Sequence, residues 1–365
     1  MSLVRQNPEG GLRAIASSIS PTRARNGQTP PNVLSLSHPP SRVQAVQAVV
    51  TGGAGFIGSH LVDRLVAEGF RVRVIDNLVT GSADQVHPEA DLVVADVVDE
   101  EALADVLTGA DVVFHQAAAR SVQASVEDPL ATDLSNSHGT LAVLATAHAA
   151  GVRRVVSASS SSIYGGADVV PTPETQPAMP RSPYAVSKLA AEHYCRVYAE
   201  LYRLETVALR YFNVFGPRQR PDSPYAAVIP LFMDALLHGW PPEVHGDGLQ
   251  SRDFTYVDDT VSANLAAATA PSERCSGRAY NVAGGRSITL LELLDQLGSL
   301  LDVRPEPRFT DARPGDVRRS RADISAARRD LGYQPTVTVV EGLSRTLRWA
   351  QDGRPARSPA YPAAR

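Results

Sequence analysis

From Val46 onward, short apolar runs alternate with longer stretches of mixed apolar and polar residues. The runs "AVVTG", "RVRVID" (71–76), "LVVAD" (92–96), "DVVFHQ" (111–116), "VRRVVSASS" (152–160) and "ETVALRY" (205–211) read as strands. Helices are expected over Phe56–Glu68, 99–108, 128–150 and 184–203. Strands that alternate with helices predict an α/β fold built on a doubly wound parallel sheet. After Phe215 the rhythm changes, and loops such as "GPRQRPDSP" and "PPEVHGDG" separate short elements. That predicts a nucleotide-binding domain over 46–215 and a smaller, mainly substrate-binding domain over 216–352. Helices are expected there near 260–270, 289–301 and 339–351.

The two ends break the pattern. Residues 1–45 are rich in Pro, Ser and Arg, hold one acid and have no periodicity, so they read as a disordered tail. Residues 353–365 read as a second loose tail. The net charge of −4 leaves no basic surface for nucleic acid, and no apolar run of about 18 residues is present to span a membrane. Cys195 and Cys275 lie far apart and match no metal spacing, so no metal site is expected. This balance fits a cytoplasmic enzyme.

Chemistry enters at two places. "VVTGGAGFIGSHL" sets Gly52, Gly55 and Gly58 between a strand and a helix. Such a turn lets the backbone approach a pyrophosphate, which then meets free N–H groups at the helix start. Asp76 ends the second strand, where a carboxylate binds ribose hydroxyls and repels a 2′-phosphate, so NAD is favoured over NADP. Asp96 is expected to end the third strand near the adenine edge, and small residues in "HQAAAR" let the cofactor pass closely.

The second place is "SPYAVSKLAAEHY" (182–194). The chain has 35 Lys plus Arg, and Lys188 is its only lysine. Tyr184 and Lys188 are spaced i, i+4 and so face one side of one helix. A phenol is a poor base at neutral pH, and an ammonium beside it favours the phenolate. The pair is therefore expected to act as a base and its helper. The serine run "SASSSSIYG" (157–165) ends the fifth strand on the side where α/β ligands bind.

Together, "TGGAGFIG", "SSSSIYG", "YAVSK", "RYFNVFGPRQ", "GDG-QSRDFTYVDD" and "RPGDVRRSRAD" resemble the extended short-chain dehydrogenase/reductase family. The nearest likeness is to its nucleotide-sugar 4-epimerases, of the UDP-glucose and UDP-N-acetylglucosamine type, from about Val46 to about Leu347. The resemblance implies a Rossmann-type fold, bound NAD, a UDP-sugar substrate and a homodimer packed through helices 128–150 and 184–203. It implies that Tyr184, Lys188 and Ser160 are catalytic. NAD contacts would come from Gly52, Gly55, Phe56, Ile57, Gly58, Asp76, Asn77, Asp96, Val97, Ala117, Ala118, Arg120, Asn136 and Phe212, with Tyr184 and Lys188. The nucleotide-sugar would meet Ser121, Ser160, Asn213, Arg252, Arg313, Asp316 and Ser320. A small residue at 320 leaves room for an acetamido group. The rival chemistries on this scaffold are UDP-glucuronate 4-epimerisation and sugar dehydration or decarboxylation. The last two usually place an acid where this chain has Ser161 and Ser162.

Overall fold

The computed structural model describes residues 46–166, 169–221, 226–312 and 317–352. Strands β1 (Gln47–Thr51), β2 (Arg71–Asp76), β3 (Asp91–Val94), β4 (Val112–His115), β5 (Arg154–Ser160) and β6 (Glu205–Tyr211) are parallel neighbours in the order 3-2-1-4-5-6. Helices α1 (Phe56–Ala67), α2 (Glu100–Leu107), α3 (Val122–Glu127), α4 (Pro129–Asp133), α5 (Gly139–Ala149) and α6 (Pro183–Tyr202) come from the connections. β1, β4 and β5 are almost wholly buried, because helices cover both faces of the sheet. Alternate strand residues feed two cores. Val50, Val74, Phe114 and Val156 pack with α1, while Val49, Ile75, Val113 and Val155 pack with α2 and α5. This is the Rossmann-type, doubly wound arrangement. Its strand order reverses between β1 and β4, which opens a crevice at their carboxyl ends.

The later chain contributes to two layers. β7 (Val214–Phe215), α7 (Val228–Leu237), β8 (Glu243–His245), β9 (Ser251–Asp253) and β10 (Thr255–Tyr256) come first, followed by α8 (Val257–Thr269) and α9 (Ser272–Cys275). β11 (Arg278–Val282) then returns to the large sheet as its seventh strand, parallel to β6. β12 (Ser287–Thr289) pairs antiparallel with β9, and α10 (Leu290–Leu301), β13 (Arg308–Thr310), α11 (Ser325–Leu331) and α12 (Val339–Asp352) complete the described chain. A separate core joins Phe215, Phe232, Val244, Phe254, Tyr256, Leu293, Leu297 and Leu343.

Two expectations are corrected. The helix over 128–150 is α4 and α5 joined by one π-helical turn, Leu134–His138, which adds a residue to the local winding. Asp96 lies two residues beyond the end of β3, in the loop before α2, because the β2 pairing stops at Val94.

Asp259 shows how a buried carboxylate fastens the last helix. It lies inside α8, and its two oxygens accept the Thr336 N–H (2.8 Å), the Thr336 hydroxyl (3.1 Å) and the Val337 N–H (3.2 Å). Asp259→Asn leaves one of those donors facing an amide NH₂. We expect a loss of about 1–3 kcal/mol of stability, read by urea unfolding.

Candidate active site

The glycine turn forms as the spacing predicts. Gly52 has φ +69°, and a Cβ there would lie 2.6 Å from the Ala117 nitrogen. A Cβ on Gly58 would lie 2.1 Å from the Gly52 carbonyl oxygen. Gly55 caps α1 without a side-chain hydrogen bond, so the helix start keeps free N–H groups. Asp76 is buried, and its carboxylate accepts the Ala54 N–H (3.0 Å) and the Leu78 N–H (2.8 Å). The acidic strand end is thus locked against the turn. Asn77 donates to Asp96 (2.7 Å), which joins the ends of β2 and β3 on one rim, with Val97 buried beneath. Phe56 and Ile57 open α1. Phe56 packs against the later core, and Ile57 against the sheet core together with Phe212. This cradle fits a dinucleotide: glycines clear its floor, a helix start faces it, and a fixed carboxylate closes one end.

The β4 end is held by a buried chain. Thr51 Oγ1 and Thr140 Oγ1 meet the two ring nitrogens of His115, at 2.8 and 3.0 Å. Burial, and then the Lys188 charge, push the His115 pKa down to about 3, so its imidazole is neutral. Thr51 also accepts the Ala117 N–H (3.2 Å), which fixes the path through Ala117 and Ala118. Asn136 sits in the π turn and is buried. Its amide exchanges two hydrogen bonds with the Ala119 backbone (2.8 and 3.0 Å) and donates to Ser187 Oγ (2.9 Å). The extra residue of that turn sets Asn136 between the β4 loop and α6. Arg120 follows that loop, and Ser121 caps α3 by accepting the Ala124 N–H (3.0 Å).

Tyr184 lies in the first turn of α6. The helix starts there because Ser182 accepts the Ala185 N–H (3.1 Å) and Pro183 is preset for the first helical position. Ser160 ends β5 and accepts the Ser162 N–H (3.1 Å), and its hydroxyl lies close enough to act on the Tyr184 phenol. Lys188 is buried one turn further along α6, and its Nζ donates to the Ala158 carbonyl (2.9 Å).

The electrostatics differ from expectation. The Tyr184 pKa is raised, because burial disfavours the phenolate more than the Ser160 hydroxyl and the Arg120 charge favour it. The i, i+4 spacing brings Lys188 to the right face, but its ammonium reaches β5 rather than the phenol. Burial pushes the Lys188 pKa down to about 8, opposed by Cys195 and Glu192.

Glu192 is a further residue of this site, and its spacing four beyond Lys188 was the available signal. It accepts from the Ser159 hydroxyl and pairs with Arg210 (2.8 Å), whose guanidinium also donates to Tyr164 (2.8 Å). Cys195 and Cys275 are buried thiols.

The residues expected to meet a nucleotide-sugar fall on neighbouring segments. Asn213 Nδ2 donates to the Asp253 carbonyl (3.1 Å). Arg252 lies on β9 and donates to the Ser251 (2.9 Å) and Val317 (2.5 Å) carbonyls. Ser320 N donates to the Ser251 carbonyl (3.1 Å). Arg313 and Asp316 lie outside the described residues.

Lys188 gives the site a pH signature. Its pKa falls from 10.5 to about 8 on folding, so the unfolded chain holds more protons between those values. From this group, stability is lowest below about pH 8 and rises toward 10.5. The difference in unfolding free energy between cofactor-free wild type and Lys188→Met should shift accordingly across that window, measured in urea.

A family model described as "NAD dependent epimerase/dehydratase family" matches residues 48–283. The chain is 40% identical over 314 residues to the UDP-glucose 4-epimerase of Mycolicibacterium smegmatis, spanning 83% of this chain and 97% of that one. It superposes on the UDP-glucose 4-epimerase of Thermotoga maritima, solved with UDP-glucose, with a TM-score of 0.80 and 36% identity, covering 84% and 99% of the two chains. The UDP-N-acetylglucosamine 4-epimerase of Methanobrevibacter ruminantium, solved with UDP-N-acetylmuramic acid, gives a TM-score of 0.81 and 38% identity, covering 85% and 99%. With its glycine turn, fixed Asp76 and Ser160–Tyr184–Lys188 grouping, the chain belongs to the NAD-dependent epimerase/dehydratase family.

Proposed function

We propose that this chain inverts C4 of UDP-sugars, UDP-N-acetylglucosamine and UDP-N-acetylgalactosamine among them, with UDP-glucose and UDP-galactose as further substrates. The observation that carries the reading is the placing of Tyr184 in the first turn of α6, where the Ser160 hydroxyl at the end of β5 acts on its phenol, with Lys188 one turn further along α6 and bonded to β5. Bound NAD supplies a reversible hydride acceptor at the sugar carbon, so that loss of the 4-hydroxyl proton and the C4 hydride gives a 4-keto sugar. Tyr184 takes and returns that proton at its phenolic oxygen. Ser160 hydrogen-bonds the same sugar oxygen and steadies the phenol. Lys188 holds α6 on β5 and presents the only ammonium side chain of the protein to the site. Arg252, with Arg313 and Asp316, would grip the diphosphate and ribose, because guanidinium suits paired phosphate oxygens. Ser320 would flank the sugar and leave space for an acetamido group. Ser161 and Ser162 supply no carboxylate for dehydration or decarboxylation.

The protein would work in the cytoplasm as a homodimer, away from nucleic acid and membrane. No described helix is long and apolar enough to cross a membrane. Val122, Val126, Leu130 and Leu134 expose apolar side chains along α3, α4 and the π turn, and Val186 and Leu201 do so on α6. These helices pack on one another, and a second copy would cover them.

Incubation with UDP-glucose, UDP-N-acetylglucosamine and UDP-glucuronate, followed by NMR without added NAD, should give C4 inversion of the first two. Inversion of UDP-glucuronate alone would overturn the substrate assignment. Tyr184→Phe should lower kcat by about 10²–10⁴ while UDP binding stays intact. Light scattering should give twice 38.9 kDa for the wild type, and Leu130→Glu should shift it toward the monomer.

A further inference from the structure

Asp253 follows Arg252 on β9 and is fully buried. Its carbonyl and its two carboxylate oxygens are each spent on a different part of the wall that would face the nucleotide-sugar. Its main-chain carbonyl accepts the Asn213 side-chain amide (3.1 Å). One carboxylate oxygen accepts the Gly285 N–H (3.1 Å) in the turn before β12. The other accepts the Ala322 N–H (3.0 Å), two residues beyond Ser320. Around this centre the segments are already in register. β9 pairs with β12 through Ser287–Asp253, Ile288–Arg252 and Thr289–Ser251, and Ser251 bridges Arg319. Asn213 itself has φ +36°, a left-handed conformation uncommon outside glycine.

Among the described residues, no arginine or lysine side chain hydrogen-bonds this carboxylate. The Arg321 charge acts on it, but the bonds come from backbone N–H groups. Burial works against the ionised form and pushes its pKa up to about 7. An apolar core residue, or a surface turn, would fill the same place without that cost. A buried carboxylate with a backbone donor on each oxygen is suited to setting the relative positions of loops that have little regular structure of their own.

We propose that Asp253 is the positioning residue of the nucleotide-sugar site, holding Asn213, Arg252 and Ser320 at fixed separations through its own backbone and carboxylate. It touches neither substrate nor cofactor. The inference rests on the UDP-sugar reading above and deepens it, because it assigns binding geometry and proton chemistry to different centres. Loss of the Asp253 carboxylate loosens the wall around the nucleotide-sugar and leaves the Ser160–Tyr184–Lys188 group, on β5 and α6, in place.

The test compares Asp253→Asn with Asp259→Asn in the full chain. Asp259 does similar carboxylate-to-backbone work between α8 and the approach to α12, so it controls for stability alone. UDP affinity by calorimetry, KM, kcat and retained NAD are measured for each. Asp253→Asn should weaken UDP binding and raise KM by about tenfold or more, with kcat within about threefold and NAD retained. Asp259→Asn should lower the melting temperature and leave KM unchanged. Asp253→Ser, whose hydroxyl is one bond shorter than the carboxylate, should weaken UDP binding at least as much as Asp253→Asn; it also replaces the Asn variant if that fails to fold. Wild-type UDP affinity and KM in both Asp253 variants, beside a wild type that binds UDP, would overturn this inference alone. A wild type that binds neither UDP nor a UDP-sugar would overturn the substrate reading and this inference with it.

Discussion

The Lys188 ammonium is a buried cation, and much of the surrounding structure is arranged around it. A charge taken out of water needs a partner. Here the partner is a backbone carbonyl, that of Ala158, on β5 two residues before Ser160. That bond pulls α6 against β5 and thereby brings the first turn of α6, with Tyr184, beside Ser160. Neighbouring bonds repeat the attachment. Ser187 receives the Asn136 amide, and Glu192 joins Ser159 to Arg210. His115, close enough to feel the ammonium, stays neutral between two hydroxyls and adds no second cation. A guanidinium at 188 would bring a planar, wider head to a space sized for one ammonium. This explains why one lysine stands in a chain otherwise built with arginine.

Most of the sheet could be read from the sequence because its strands are buried on both faces. A strand in that position is a continuous apolar run, and β2 and β6 have the predicted limits. The glycine turn was legible for a similar reason, since only residues without a side chain fit against the Ala117 and Gly52 backbones. Tyr184 and Lys188 were legible through helical spacing. Periodicity did not reveal the π turn at Leu134–His138, because a single added residue leaves the apolar pattern almost unchanged. Nor did it reveal what Lys188 bonds to. Spacing fixes the face of a helix, whereas the partner depends on how far the neighbouring strand extends. Asp253 was hidden inside a quoted motif, because its partners Gly285 and Ala322 are distant in sequence and donate through backbone atoms that every residue type shares.

The returning strand β11 has a consequence for how the molecule holds together. It pairs with β6 only after the chain has built α7 through α9, so the sheet that carries the glycine turn is finished by residues from beyond the loop-rich region. A chain stopped at Phe215 would leave β6 as a bare parallel edge, with open N–H and C=O groups and no α8 over its face. The dinucleotide-binding half is therefore not a portable module. Its last seam joins segments far apart in sequence, so both halves share one sheet.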